Sequence, residues 1–127
     1  MMNVLVVDDS EIFRSGIVAH LESGGGMTSI RDIAYSEDKI IQELDSSTDL
    51  IIIDFEHHRN FGLDLIKRLK QFNQKLNLII FTHERNLSMK LLSEHYGADY
   101  FLTKENQHQN LWQIIDNIKY NFRGKYD

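Results

Sequence analysis

The sequence predicts an α/β fold: a single doubly wound sheet of five parallel strands, with helices on both faces. Three observations carry that prediction. The runs Val4 Leu5 Val6 Val7, Leu50 Ile51 Ile52 Ile53 and Leu78 Ile79 Ile80 Phe81 have strand length and are apolar throughout, as strands covered on both faces are. Between them lie stretches whose apolar residues recur at helical spacing. The two kinds alternate along the whole chain with no linker, repeat or low-complexity segment, and such alternation demands parallel strands joined by right-handed crossovers.

The first strand is expected over 3–7 and runs into Asp8 and Asp9. Ser10 then caps a helix that presents Phe13, Ile17 and Leu21 on one side. His20 falls at the edge of that side and, lacking a second ligand one turn away, reads as a packed histidine rather than a metal ligand. Gly24, Gly25 and Gly26 read as a turn, since no Lys-Ser or Lys-Thr follows to make a phosphate loop. The second strand, 29–34, holds Arg31 and Asp32, which suits a sheet edge. Ser36 caps a second helix through Ile40, Ile41 and Leu44, and the third strand, Leu50–Ile53, ends at Asp54. A third helix over 61–72 uses Leu65, Ile66 and Leu69; the fourth strand, 78–82, ends in Thr82. The fourth helix, 86–96, stops at Gly97, and the fifth strand, 99–103, runs into Lys104. The last helix carries Leu111, Ile114, Ile115, Ile118 and Phe122 as one stripe. Trp112 and Tyr120 lie off it, Trp112 either covering the core edge or facing a partner. One domain is expected over 1–122, followed by a polar tail over 123–127.

Composition narrows the function classes. A chain of 127 residues builds one real core and not two. A net charge of -5 argues against direct nucleic-acid binding, which runs on clustered Lys and Arg. The absence of cysteine excludes disulfides, zinc thiolate sites and thiol chemistry, and fits a cytoplasmic protein. No long apolar segment or signal-peptide pattern points to a membrane.

In a doubly wound sheet, chemistry collects beyond the carboxyl ends of the strands. Those ends carry Asp8, Asp9 and Asp54, one hydroxyl, Thr82, and one ammonium, Lys104. Carboxylates brought together repel one another, so they need a cation or a proton. Mg2+, a hard ion content with a few carboxylate or carbonyl oxygens and its own waters, relieves that repulsion. An incoming phosphoryl group would then meet cation, ammonium and hydroxyl, with Asp54 as nucleophile and an aspartyl phosphate as product.

With these residues in view, the chain resembles the receiver domains of two-component response regulators. The resemblance covers essentially all of it: the Asp8-Asp9 pair, Asp54, Gly62 eight residues on, Thr82 and Lys104, each after the matching element. It implies the flavodoxin-like (βα)5 strand order 2-1-3-4-5. It implies that Asp54 takes a phosphoryl group from a sensor histidine kinase or phosphotransfer protein. Asp9, Asp54 and the Glu56 backbone carbonyl would bind Mg2+ directly, Mn2+ being the alternative ion, with Asp8 acting mostly through water. Thr82 and Lys104 would contact the phosphoryl oxygens. The domain would thus catalyse its own phosphorylation and dephosphorylation without being a conventional enzyme. Movement of Thr82 would let Phe101 turn inward and alter the surface of helix four, strand five and helix five. That surface would meet a downstream protein, serve a fused output domain, or pair with a second copy.

The chain departs from the family pattern in three places. His57 and His58 stand where Met-Pro is usual, and read either as solvated loop histidines or as transition-metal ligands. Glu105 replaces a proline after Lys104, so a trans peptide is expected there. His83 replaces a small residue at the mouth of the site, while Glu56 and Glu84 hold positions that influence how fast such phosphates hydrolyse. These departures sustain an alternative, a pseudo-receiver that acts as an interaction module without phosphate. Retention of all the matched polar positions favours the phosphorylated reading. A magnesium-dependent hydrolase using Asp54 lacks a placed general acid and a capping domain.

Overall fold

The computed structural model of the protein describes residues 2–23, 28–55, 59–83 and 86–126, with 59–61 and 122–126 described by backbone alone. Its elements run β1 (Met2–Val7), α1 (Glu11–Glu22), β2 (Thr28–Ile33), α2 (Glu37–Glu43), β3 (Leu50–Ile53), α3 (Arg59–Phe72), β4 (Asn77–Thr82), α4 (Leu87–Tyr96), β5 (Tyr100–Thr103) and α5 (His108–Tyr126). The strands are all parallel, in the order β2-β1-β3-β4-β5, as the resemblance implied.

Side chains alternate across each strand, and this divides the core in two. Leu5, Val7, Ile51, Ile53, Leu78 and Ile80 meet Ile40 of α2 and Leu65, Ile66 and Leu69 of α3, with Met89 and Tyr96 of α4 against the rim. On the other face Val4, Val6, Leu50, Ile52, Ile79 and Phe81 meet Ile17 and Leu21 of α1 and Leu111 and Ile115 of α5. All four residues of β3 are buried, because helices cover both sides of this central strand.

Helix starts follow the expected caps. Ser10, Ser36 and Asn86 are the N-caps of α1, α2 and α4, each accepting a backbone N–H at the first turn. Gly97 closes α4 at φ 125°, a left-handed conformation, while its N–H reaches the carbonyls of Ser93 and Glu94.

The element bounds differ from the sequence reading in places. β2 starts and ends one residue earlier than expected, because it pairs with the full length of β1, from Met2 against Thr28 to Val7 against Ile33. α3 begins at Arg59, two residues before the expected 61. α5 continues to Tyr126, so residues 123–126 carry the helix on past the boundary expected at 122. With no proline in the chain, nothing there removes a helical N–H. Of the expected stripe, Leu111 and Ile115 are buried and Ile114 and Ile118 half-buried, while the Phe122 side chain lies outside the described residues. The glycine run 24–26 lies outside them as well.

His20 is packed, as expected. Its ring stacks on Trp112 with centroids 4.3 Å apart, and its Nε2 hydrogen-bonds to Asp116 Oδ1 at 3.1 Å. Trp112 thus covers the edge of the α1–α5 core, and Tyr120 is exposed. Among the described residues, no helix is long and apolar enough to cross a membrane.

Candidate functional site

Sheet topology brings the polar strand ends together. Strand order reverses between β1 and β3, so their following helices leave to opposite faces and open a crevice at the carboxyl edge. The backbone hydrogen-bond ladder continues past the strands: Asp54 N–H donates to the Val7 carbonyl at 2.9 Å, and Asp8 N–H to that of Ile33 at 3.1 Å. On the far side of β4, Lys104 N–H donates to the Thr82 carbonyl at 2.7 Å. The residues after β1, β3 and β5 are therefore held by main-chain bonds before any side chain acts.

Lys104 is at the centre. Its Nζ donates to Asp54 Oδ2 at 2.6 Å and stands 2.6 Å from Asp8 Oδ2. Those two oxygens lie no farther apart than twice that distance. The Lys104 side chain is 1% exposed, and an ammonium buried to that degree needs charged partners. Its Nζ also sits 4.3 Å from the centroid of the Phe13 ring, within cation–π range.

The acids differ in their surroundings. Asp8 is held on three sides: Oδ1 accepts the Ser10 N–H at 2.8 Å, Oδ2 faces Lys104, and its backbone carbonyl accepts Arg14 Nη1 at 2.6 Å. Burial pushes the Asp8 carboxyl above its ordinary pKa, with the charge of Asp54 adding to the rise. The hydrogen bond to Lys104, the Ser10 amide and the charge of Lys104 oppose it. Asp9 turns toward the start of α2, where Oδ1 accepts the Tyr35 N–H at 2.9 Å. Tyr35 itself is pushed up to about 12, by burial and then by the charges of Glu37 and Asp9.

Asp8, Asp9, Ser10, Phe13, Asp54, His83 and Lys104 line a cavity of about 330 Å³. The three carboxylates and the ammonium singled out in the sequence thus share one cavity, but not as one ligand set. Among the described residues, no group of three or more acidic or imidazole side chains is gathered to hold a metal ion. The physical reason is local: Lys104 stands as counter-ion between Asp8 and Asp54, and Asp9 is directed to a backbone amide. The donor set still fits a hard divalent cation, since it is all oxygen and the Asp8 and Asp54 carboxylates already converge on a positive charge.

Thr82 is buried at the end of β4 and is not part of the cavity lining. Phe101 is already inward, 6% exposed in the core beneath α2, α3 and α4. His83 lines the cavity from an exposed position, as expected of a residue at its mouth. No cis peptide occurs among the described residues, so the Lys104–Glu105 bond is trans as expected. Glu56, His57, His58 and Glu84 lie outside the described residues. Sequence reasoning missed three contributors: the Phe13 ring under Lys104, the Arg14 guanidinium on the Asp8 carbonyl, and the Tyr35 amide on Asp9. Phe13 was visible only as one apolar position of α1, and its spacing cannot tell core filling from a seat for a cation.

Comparison with known proteins bears on the fold and the family. The family model described as the response regulator receiver domain matches residues 4–116. The nitrate/nitrite response regulator protein homolog of Haemophilus influenzae is 28% identical over 119 residues, covering 92% of this chain and 56% of that protein. The chain spans about half the length of the curated relatives it matches. Among solved structures, a response regulator receiver domain protein from Clostridium thermocellum is 25% identical, with a TM-score of 0.76 over 97% of this chain and 98% of that one. A response regulator from Burkholderia pseudomallei, solved with a phosphorylated aspartic acid, a calcium ion and citrate, is 20% identical, with a TM-score of 0.75 over 98% of this chain and 73% of that one. By the match across residues 4–116, this chain belongs to the response regulator receiver domain family.

Proposed function

We propose that this receiver domain accepts a phosphoryl group on Asp54 from a phosphohistidine of a sensor kinase or phosphotransfer protein, and signals through the surface of α4, β5 and α5. One observation carries the reading. A buried Lys104 ammonium is shared by Asp8 and Asp54 at 2.6 Å each, inside a cavity that Asp9 also lines. A scaffold that never met a phosphate has no need of a buried charge cluster, which is costly to build.

The chemistry follows from these groups. An Asp54 carboxylate oxygen attacks phosphorus, the phosphorus–nitrogen bond of the donor breaks, and its electron pair returns to the imidazole, which takes a proton from solvent. Lys104 exchanges part of its pairing with the carboxylates for a phosphoryl oxygen, and Thr82, buried outside the cavity lining, moves toward the phosphate so that its hydroxyl donates to another. As the family resemblance implies, Asp9, Asp54 and the Glu56 carbonyl would hold Mg2+, or Mn2+ in its place, with Asp8 acting through water. A divalent ion held there would supply positive charge to offset that of the phosphoryl oxygens. Hydrolysis of the acyl phosphate by water resets the domain. Leu87, Leu91 and Leu92 of α4 and Tyr100 of β5 are exposed apolar side chains, which supports a protein contact on that surface. A downstream protein, a fused output domain or a second copy of the chain fits there, and a net charge of -5 disfavours nucleic acid. We place this activity in the cytoplasm.

Incubation with Mg2+ and acetyl phosphate is expected to add one phosphoryl mass, and Asp54→Asn to remove it. No adduct, even with a phosphorylated kinase domain, leaves the pseudo-receiver reading in its place. An undiminished adduct in Asp54→Asn moves the acceptor elsewhere.

Asp9→Asn separates the charge of Asp9 from its structural bond, because the amide oxygen can still accept the Tyr35 N–H. Mg2+-dependent phosphorylation is expected to fall roughly ten- to a hundredfold, while stability by urea unfolding stays within about 0.5 kcal/mol of the parent.

A further inference from the structure

Phe13 sits among more charged and aromatic groups than core packing requires. Lys104 Nζ lies 4.3 Å from its ring centroid, the His108 ring stacks on it at 5.8 Å and 17°, and the His83 ring meets it edge-on at 5.5 Å. From His108 the rings continue. Trp112 lies 6.2 Å on, and His20 stacks on Trp112 at 4.3 Å. An unbroken series of rings therefore runs from the ammonium beside Asp54 along the seam between α1 and α5. It lies on the sheet face opposite the one that holds Phe101.

We propose that Phe13 is a positioning residue of the acceptor site: its ring holds the Lys104 ammonium between Asp8 and Asp54, and it passes displacement of that ammonium through His108 to Trp112. Among the described residues, two carboxylates and one ring face stand against Nζ. The carboxylates pull along the line between them, and the ring resists movement off it through attraction of the cation to the π face. When charge arrives on Asp54, Lys104 shifts toward it and the ring loses its cation. Phe13, His108 and Trp112 are half-buried and stand ring to ring, so a shift of the first is met by the next in the series. The consequence for phosphorylation rests on Asp54 being the acceptor as proposed above, whereas the link from Lys104 to Trp112 does not.

Two variants of the full chain test the first part. Phe13→Leu keeps apolar bulk and removes the π face, and Phe13→Tyr keeps the face. Adduct formation from acetyl phosphate with Mg2+ is expected to slow about two- to thirtyfold in Phe13→Leu, the range equivalent to one cation–π contact. Phe13→Tyr is expected to stay within about twofold of the parent. Equal rates in Phe13→Leu and the parent, or equal slowing in both variants, overturns the positioning role. The second part is read without phosphate, through emission of the single tryptophan. Lys104→Met is expected to shift Trp112 emission in the parent and to leave it unchanged in the Phe13→Leu background. A shift of equal size in both backgrounds, or none in the parent, overturns transmission through Phe13. If the parent itself takes no phosphate, the acceptor reading falls, and the emission result alone decides for or against Phe13.

Discussion

Lys104→Met is expected to destabilise the protein by about 3 kcal/mol at neutral pH, the low end of the cost of removing one partner from a buried ion pair. Methionine keeps much of the length and volume of lysine, so the loss reports charge rather than packing. It leaves Asp8 and Asp54 facing each other with their shared countercharge gone, Asp8 being 3% exposed and Asp54 9%. The pH dependence has a definite sign. Burial raises the folded-state pKa of Asp8 above its ordinary value of 3.8, so the folded protein binds that proton more tightly than the unfolded chain. Stability from this group is full below 3.8 and is lost as pH climbs through the raised value. Lys104 opposes the rise by hydrogen bond and by charge, and removing it carries the window to higher pH. Urea unfolding of parent and variant is therefore expected to show a gap that narrows from pH 7.5 toward pH 5, roughly the range a further-raised carboxyl reaches. Added Mg2+ is expected to narrow it at fixed pH. A gap independent of both pH and Mg2+ would mean that Lys104 does not neutralise this pair.

Gly62→Ala is expected to cost about 2 kcal/mol, although alanine is the better helix former by roughly 1 kcal/mol. A Cβ at Gly62 would meet three atoms of the Phe55 ring within 2.9 Å. Phe55 is 3% exposed and belongs to the same core as Leu65, Ile66 and Ile53, so its ring has nowhere to retreat. It also follows Asp54 directly in the chain. Pushing it aside moves the backbone that carries the acceptor, and adduct formation is expected to slow about tenfold, since misplacing a reacting group by a fraction of an ångström is costly. Thermal unfolding and adduct kinetics measure the two effects. Stabilisation by about 1 kcal/mol, as helix propensity alone demands, would show that Phe55 yields freely.

The glycine illustrates what a sequence can and cannot say. Its place eight residues after Asp54 belonged to the family pattern, but the aromatic ring that requires it appears only once α3 is packed on β3. The strands were legible because four apolar residues in a row, as in Leu50–Ile53, have few other fates at that length. Caps at Ser10 and Ser36 were legible because a hydroxyl before a helical run has a specific backbone partner. The run of α5 to Tyr126 was not, since hydrogen bonds along the backbone extend a helix beyond its apolar stripe. In the site, the residue types at the strand ends pointed to Asp8, Asp9, Asp54 and Lys104 together. Their division into a lysine-bridged pair and an aspartate tied to the Tyr35 amide depends on side-chain directions that spacing does not carry. Phe13 was hidden for the same reason, being an apolar residue at an ordinary helical interval.

In the function proposed here, the Asp54 carboxylate is the group that carries phosphate. Borohydride reduces an aspartyl phosphate to homoserine, so reduction after incubation with acetyl phosphate and Mg2+, followed by peptide sequencing, locates the modified side chain. Homoserine is expected in place of Asp54, dependent on both donor and ion, with Asp8 and Asp9 intact. Homoserine in place of Asp8 or Asp9, or a phosphorylated protein in which Asp54 survives reduction unchanged, would contradict it.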